Sequence, residues 1–144
     1  MIADFNARLA WETEHRQLDL GRLTQSVAAL LADPAKGTYF VAESPADGTN
    51  AVTGQLLITY EWSDWRNGTF WWIQSVYVRK ESRGRGIFRA LFEHVKKLAQ
   101  QREDVCGLRL YMEAGNIVAR KAYARLGMKP TEYELFETDF VLTD

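Results

Sequence analysis

The chain has one cysteine in 144 residues, almost no net charge and no apolar run long enough to cross a bilayer. Each shortage excludes something. A lone Cys106 cannot form an internal disulfide, and with no charged-then-apolar leader at the N-terminus the expectation is a cytoplasmic protein. The longest aliphatic run near the start, Val27 to Ala32, is too short to span a membrane, so no membrane partner is expected. A formal charge of −1 gives no general field to attract nucleic acid, and any basic cluster is a local feature on a balanced surface.

What is present is the raw material of one domain, expected to cover residues 1–144. Hydrophobic residues make up 47% and charged residues 26%, enough for a single substantial core. Apolar periodicity predicts a first helix holding Phe5 and Leu9. A second runs from about Asp19 to Asp33, with Asp19 as N-cap and Leu23, Val27, Leu30 and Leu31 as its buried stripe. Strands follow. GTYFVAE is the first, an Asp47–Gly48 turn leads to QLLITYEW, and a tight Asn67–Gly68 turn leads to TFWWIQSVYV.

The next helix places Ile87, Leu91, Val95 and Leu98 on one face, and the strand GLRLYME comes after it. A last helix begins near Asn116 and carries Ala119, Ala122, Tyr123 and Leu126 inward. Gly127 suits a left-handed C-cap with Met128 folding back, and YELFETDFV reads as a closing strand. The fold class is therefore α/β (α+β), a mixed and mostly antiparallel sheet flanked by helices.

The most informative segment is VYVRKESRGRGIFRALFEHV, an extended apolar run, a loop of glycine and arginine, then an amphipathic helix. A helix opening leaves backbone N–H groups without intrahelical partners and adds the positive end of the macrodipole, so this order builds an anion site. Arg79, Lys80, Arg83, Arg85 and Arg89 place five cations within eleven residues, which suits several phosphates better than one carboxylate. A Walker loop is excluded because no GK[ST] ending is present. The dinucleotide fingerprint is excluded because Arg89 stands where its third glycine belongs.

The run Arg83, Gly84, Arg85, Gly86, Ile87 resembles the RxxGxG/A segment of the GNAT superfamily of N-acetyltransferases, with Phe88 in the small-residue slot. Downstream, LYMEAGNIVARKAYARLGMKP is similar to that superfamily's second signature, a strand followed by N-x2-A-x3-Y-x3-G. Its positions here are Asn116, Ala119, Tyr123, Gly127 and Met128. The resemblance covers roughly residues 37 to 135 and implies a GNAT-like fold whose first strand is short or missing from this chain. An exposed sheet edge is then expected, and with it a homodimer by sheet extension or strand exchange.

The resemblance also implies acetyl-coenzyme A as cosubstrate, no metal, and direct acetyl transfer to the amine of a small molecule or peptide. The pantetheine arm would pair with the backbone of Val76, Tyr77 and Val78. The pyrophosphate would lie over the amides from Arg83 through Gly84, Arg85, Gly86, Ile87 and Phe88 to Arg89, with the Arg83 and Arg85 side chains available to it. Tyr123 matches the family's proton donor, though the helix pattern alone makes it a core aromatic. Asn116 would contact the cofactor, cap the helix, or do both.

A general base is harder to place. Counting back eleven residues from Arg83 lands on Trp72, not on a carboxylate. Glu61 is taken as the catalytic candidate, with Asp64, Glu12 and Glu14 as further options or solvated charges. The rings of Trp62, Trp65, Phe70, Trp71 and Trp72 crowd one hairpin, as an acceptor pocket or as core. Phe70, Trp72, Gln74 and Val76 are expected on one sheet face, and Trp71, Ile73, Ser75 and Tyr77 on the other. His94 and Cys106 read as ordinary structural residues. Two other function classes remain open, a non-catalytic acyl-coenzyme A sensor and a module that stacks single-stranded nucleic acid on the aromatic hairpin.

Overall fold

The computed structural model describes residues 1–45 and 50–142, so the expected Asp47–Gly48 turn lies outside the described residues. The chain divides into two compact units, Met1–Tyr111 and Met112–Asp144. In the first, two helices, α1 (Ile2–Glu14) and α2 (Leu20–Ala32), precede strands β1 (Thr38–Ser44), β2 (Ala51–Ser63) and β3 (Gly68–Val78). Helix α3 (Ile87–Gln100) and strand β4 (Val105–Arg109) complete it. The sheet order is β1-β2-β3-β4, antiparallel throughout except for the parallel β3–β4 pair. The mixed, mostly antiparallel sheet flanked by helices is as expected, and among the described residues no strand precedes α1.

Local chemistry fixes the element ends. Asp19 caps α2 by accepting a 2.6 Å hydrogen bond from the Arg22 N–H. Of the α2 stripe, Leu23, Val27 and Leu30 are half-buried, but Leu31 is 62% exposed. Neighbouring residues lie about 100° apart around a helix, and Leu30 takes the inward position over Gly37. The hairpin between β2 and β3 is a four-residue turn, Asp64 to Asn67, closed by the Ser63–Gly68 pair. Asn67 supplies the left-handed residue at φ 44°. Gly68 is required for close approach, since a Cβ there would sit 2.9 Å from that of Cys106.

The sheet carries a core on each face. On one, α3 lays buried Leu91, Phe92, Val95 and Ala99 against the sheet, with His94 edge-on to Phe40 at 5.8 Å. On the other, Phe5 of α1 meets Tyr77 at 5.0 Å. A hydrogen-bonded chain pins α1 to the strands: buried Gln55 Nε2 donates to Asn6 Oδ1 at 2.8 Å, and Asn6 Nδ2 donates to the Tyr39 hydroxyl at 3.0 Å.

One expectation about β3 is corrected by a β-bulge. Leu57 pairs with Ser75 and Ile58 with Ile73, so Gln74 is an extra residue without a partner. The bulge resets the alternation. Trp71 and Ile73 lie with Val76 on the α3 side, while Phe70 and Trp72 lie with Ser75 and Tyr77 on the α1 side. Simple alternation from Phe70 to Tyr77 gave the wrong grouping because the extra residue flips every side chain beyond it.

Two further differences concern strand ends. The strand expected as GLRLYME is Val105–Arg109, and its pairing with β3 stops at Trp72 and Arg109, where the two strands part. The expected closing strand YELFETDFV is not a strand: the described residues after Gly127 hold no regular element. Its composition favours extended backbone, but a strand also needs a partner to take its hydrogen bonds.

In the second unit, α4 (Ile117–Arg125) begins at Asn116, whose Oδ1 accepts a 3.0 Å hydrogen bond from the Ala119 N–H. It ends in a Schellman motif, with Met128 N–H donating to the Tyr123 carbonyl, Gly127 N–H to that of Ala124, and Gly127 at φ 88°. Both ends match the expected cap positions.

The Gln55–Asn6 bond predicts a measurable cost. Asn6→Ala removes the shorter of the two bonds that Gln55 Nε2 makes, leaving the 3.4 Å bond to the Ile2 carbonyl, and should destabilise by about 0.5–1.5 kcal/mol in urea unfolding. An Asn6→Ala change within error of zero would show that the bond holds nothing.

Candidate functional site

The glycine loop leaves β3 at Val78, passes through one turn of 3-10 helix at Lys80–Ser82, and enters α3 at Gly86. Gly84 and Gly86 take left-handed φ values of 76° and 78°, a region that costs other residues about 1–2 kcal/mol. A Cβ on either glycine would meet nothing within 4 Å, so both serve the backbone path and leave the space before it open. Gly86 offers no capping side chain to α3, so the helix opening is bare in the way an anion site requires. Phe88 is half-buried beside buried Phe92, with ring centroids 6.5 Å apart. Its bulk runs toward the core.

The loop's arginines divide into two groups. Arg79 donates to the Val52 carbonyl at 2.8 Å and covers the Phe5 ring at 5.2 Å. Arg83 donates to the Val78 carbonyl at 3.0 Å, forms an ion pair with Glu12 at 2.5 Å and lies over Tyr77. Both brace the loop, and Arg83, expected to be available to the phosphates, keeps an exposed side chain. Lys80, Arg85 and Arg89 are exposed and make no ion pair among the described residues.

Beside the loop, Val76, Tyr77 and Val78 pair with β2 on one side only. On the other side β3 meets β4 from Thr69 to Trp72, and from Ile73 onward no strand among the described residues takes its place. An open stretch of backbone thus runs from the bulge to the loop.

At the point where β3 and β4 part, a second cluster forms on the α1 side of the sheet. Arg109 donates to Glu61 at 2.7 Å, and its guanidinium carbon lies 3.6 Å from the centroid of buried Phe70. Trp72 meets Tyr111 at 5.9 Å. Glu61 is thereby held, whereas Asp64 accepts from the Trp65 N–H and Glu12 is taken by Arg83. Glu61 stands six residues along β2 from Gln55, the partner of Tyr77, or about 20 Å of strand, so it belongs to the parting of the strands and not to the loop. Trp62 and Trp65 are exposed at 64% and 83%, outside any core.

Arg109 was not anticipated as a functional residue. Its only trace in the sequence is an arginine that alternates with Leu108 and Leu110 in the expected strand GLRLYME. Its partner Glu61 lies 48 residues away.

In the second unit lie Asn116 and Tyr123. Asn116 is exposed and committed to its cap, and Tyr123 is half-buried on α4. Burial raises the Tyr123 phenol above its ordinary value, which keeps the group protonated through the neutral range. Among the described residues no three His, Cys, Asp or Glu side chains converge as metal ligands would, and no helix is long and apolar enough to cross a membrane.

The sequence pattern of the acetyltransferase (GNAT) family matches residues 4–128. The chain belongs to that family. The match runs through both the glycine loop and the Asn116–Met128 segment. Among solved structures, a possible acetyltransferase from Clostridium difficile 630 is 46% identical and superposes with a TM-score of 0.89, over 97% of this chain and 90% of the other. A Trypanosoma brucei acetyltransferase, 17% identical, shares the fold at a TM-score of 0.66, covering 95% of this chain and 91% of its own. So does a transcriptional regulator from Bacillus halodurans C-125, 16% identical with a TM-score of 0.76, covering 96% and 93%. No curated protein matches the sequence closely enough to lend it an activity.

The raised phenol sets an alkaline limit. Below the unfolded pKa of about 10 the native and unfolded chains bind the same tyrosine proton. Above it the unfolded state releases that proton first, so stability falls as pH rises toward the folded value. In denaturation curves from pH 8 to 11, Tyr123→Phe should lose less stability than the parent. Equal losses would mean that Tyr123 titrates alike in both states.

Proposed function

We propose that the chain is an N-acetyltransferase that moves an acetyl group from acetyl-coenzyme A to a primary amine by direct transfer. The observation that carries this reading is continuous: the open backbone edge of β3 runs into an uncapped, doubly glycine-kinked helix start. An extended arm with amide groups fits the edge, and a pyrophosphate fits the loop. The cosubstrate brings the acetyl group as a thioester. We read both units as one domain, because the family match crosses the boundary at Tyr111.

The protein's own residues then have distinct tasks. Backbone amides from Gly84 to Arg89 hold the phosphates, with Arg85 and Arg89 as the cations left for them, and Val76 to Val78 hold the arm. An arm laid from the loop along β3 ends at the parting of the strands, where Trp72, Arg109 and Glu61 stand. The amine nitrogen forms its bond to the acetyl carbonyl carbon as the carbon–sulfur bond breaks. The amine proton passes to Glu61, directly or through water, and the departing sulfur takes a proton from Tyr123. The Tyr123 role rests on its position in the Asn116–Met128 motif and on its raised pKa. Arg109 holds the Glu61 carboxylate in one orientation.

The acceptor is a small molecule or peptide amine, with Phe70, Trp72 and Tyr111 as the aromatic surface beside it. The amine's positive form suits those ring faces. We place the enzyme in the cytoplasm and assign it no nucleic-acid or membrane partner.

Thermal unfolding with acetyl-coenzyme A, coenzyme A, ATP and NAD tests the cofactor. A ligand at one hundred times its Kd adds about 2.7 kcal/mol, so the two coenzyme A species should raise Tm by several degrees and the controls should not. No rise would refute the reading, and a rise without thiol release across a panel of amines would favour an acyl-coenzyme A sensor. The arginines provide a second test. Arg85→Ala should weaken acetyl-coenzyme A about tenfold, about 1.4 kcal/mol, with little change in the free protein, whereas Arg83→Ala should lower the Tm of the free protein. Tyr123→Phe should cut kcat by about 10²–10⁴ with a small change in KM for acetyl-coenzyme A; the reverse split would make Tyr123 a packing residue.

A further inference from the structure

Two guanidiniums gather on one ring where β3 and β4 part. Phe70 lies so close to the backbone of β4 that a Cβ on Gly107 would come within 2.7 Å of it. The Arg109 guanidinium carbon stands 3.6 Å from the ring centroid, and that of Arg66, in the turn between β2 and β3, stands 4.9 Å from it. Like charges held on a shared ring repel each other, and among these groups only Glu61 offsets them, through the bond from Arg109 Nη1. Arg66 donates to the Ser63 hydroxyl at 3.3 Å and makes no ion pair among the described residues. Two cations against one carboxylate leave a surplus of one positive charge.

Covering Phe70 does not call for that surplus, because the aliphatic stem of an arginine shields a ring without help from its charge. What the arginines add is two planar donor forks already fixed in place, so little side-chain freedom is lost when an anion binds them. Both are within reach of a ligand: Arg66 is exposed, and Arg109 keeps 27% of its side-chain surface. Trp72 pairs with Arg109, lies two residues or about 7 Å of strand beyond Phe70, and meets Tyr111 at 5.9 Å. Since guanidiniums already attend Phe70, Trp72 and Tyr111 are the rings left for a cationic amine.

We propose that the acceptor is an amino acid in the broad sense, an amine joined to a carboxylate about 7 Å away. Arg66 and Arg109 hold the carboxylate while the amine lies beside Trp72 and Tyr111. A carboxylate suits the cluster better than a phosphate, because the surplus to be neutralised is a single charge. The fate of the amine rests on the acetyl-transfer reading; the anion site does not.

Ligand-observed NMR titrations of the free protein compare 5-aminopentanoate, whose ends match the spacing, with pentylamine, which has the same chain and no carboxylate, and with glycine, which is too short. The first should bind at least tenfold more tightly than either of the others. Arg66→Gln, which keeps a stem over Phe70 and loses the charge, should cut that preference fivefold or more, and Arg66→Lys should retain part of it. Equal binding of 5-aminopentanoate and pentylamine, no detectable binding of 5-aminopentanoate, or a preference unchanged in Arg66→Gln overturns the proposal. Thiol release from acetyl-coenzyme A with the same amines separates the two readings. Transfer to pentylamine as readily as to 5-aminopentanoate sinks the acceptor class alone, whereas a binding preference without thiol release sinks acetyl transfer and upholds the anion site.

Discussion

The rest of the structure depends on the parting of β3 and β4 after the Trp72–Arg109 pair. Up to that point both sides of β3 are hydrogen-bonded. Beyond it one side is open, and backbone amides and carbonyls that would cost free energy if buried unpaired have no strand partner among the described residues. The bulge at Gln74 falls two residues past the parting, so the strand changes the facing of its side chains where it loses its neighbour. Phe70 and Trp72 thereby come to the α1 side of the sheet and form, with Arg109 and Glu61, a polar and aromatic cluster at the end of the open edge.

The opposite end of that edge is set by charge placement. Of the five cations around the loop, two brace it. Arg83 ties the loop to α1 through Glu12 and to β3 through the Val78 carbonyl, and Arg79 ties it to β2. The two left-handed glycines can hold their path because the loop is braced on both flanks. Main-chain amides are then the nearest donors at the start of α3, and Phe88 leaves them clear because its ring lies with Phe92.

Features that depend on a residue and its immediate neighbours were legible in the sequence. The caps at Asp19 and Asn116, the left-handed Gly127 and the bare glycine opening of α3 stand where local chemistry put them. Features that depend on a distant partner were not. The Gln74 bulge exists only in register with Leu57 and Ile58, Arg109 finds Glu61 across 48 residues, and Arg83 finds Glu12 across 71. The segment from Tyr133 has the pattern of a strand, but pattern carries no information about which edge receives it. The grouping of Trp71 and Ile73 with Tyr77 failed for the same reason, since alternation holds only while pairing is unbroken.

The central claim is that a coenzyme A ester is held by main chain along the open β3 edge and the glycine loop. Amide hydrogen exchange, resolved by residue, with and without acetyl-coenzyme A tests it most directly. The account predicts slowed exchange confined to Gln74–Val78 and Gly84–Arg89, while amides of β1 and of the β1-facing side of β2 are unchanged. Protection elsewhere with none on these two stretches, at a saturating concentration, would contradict it.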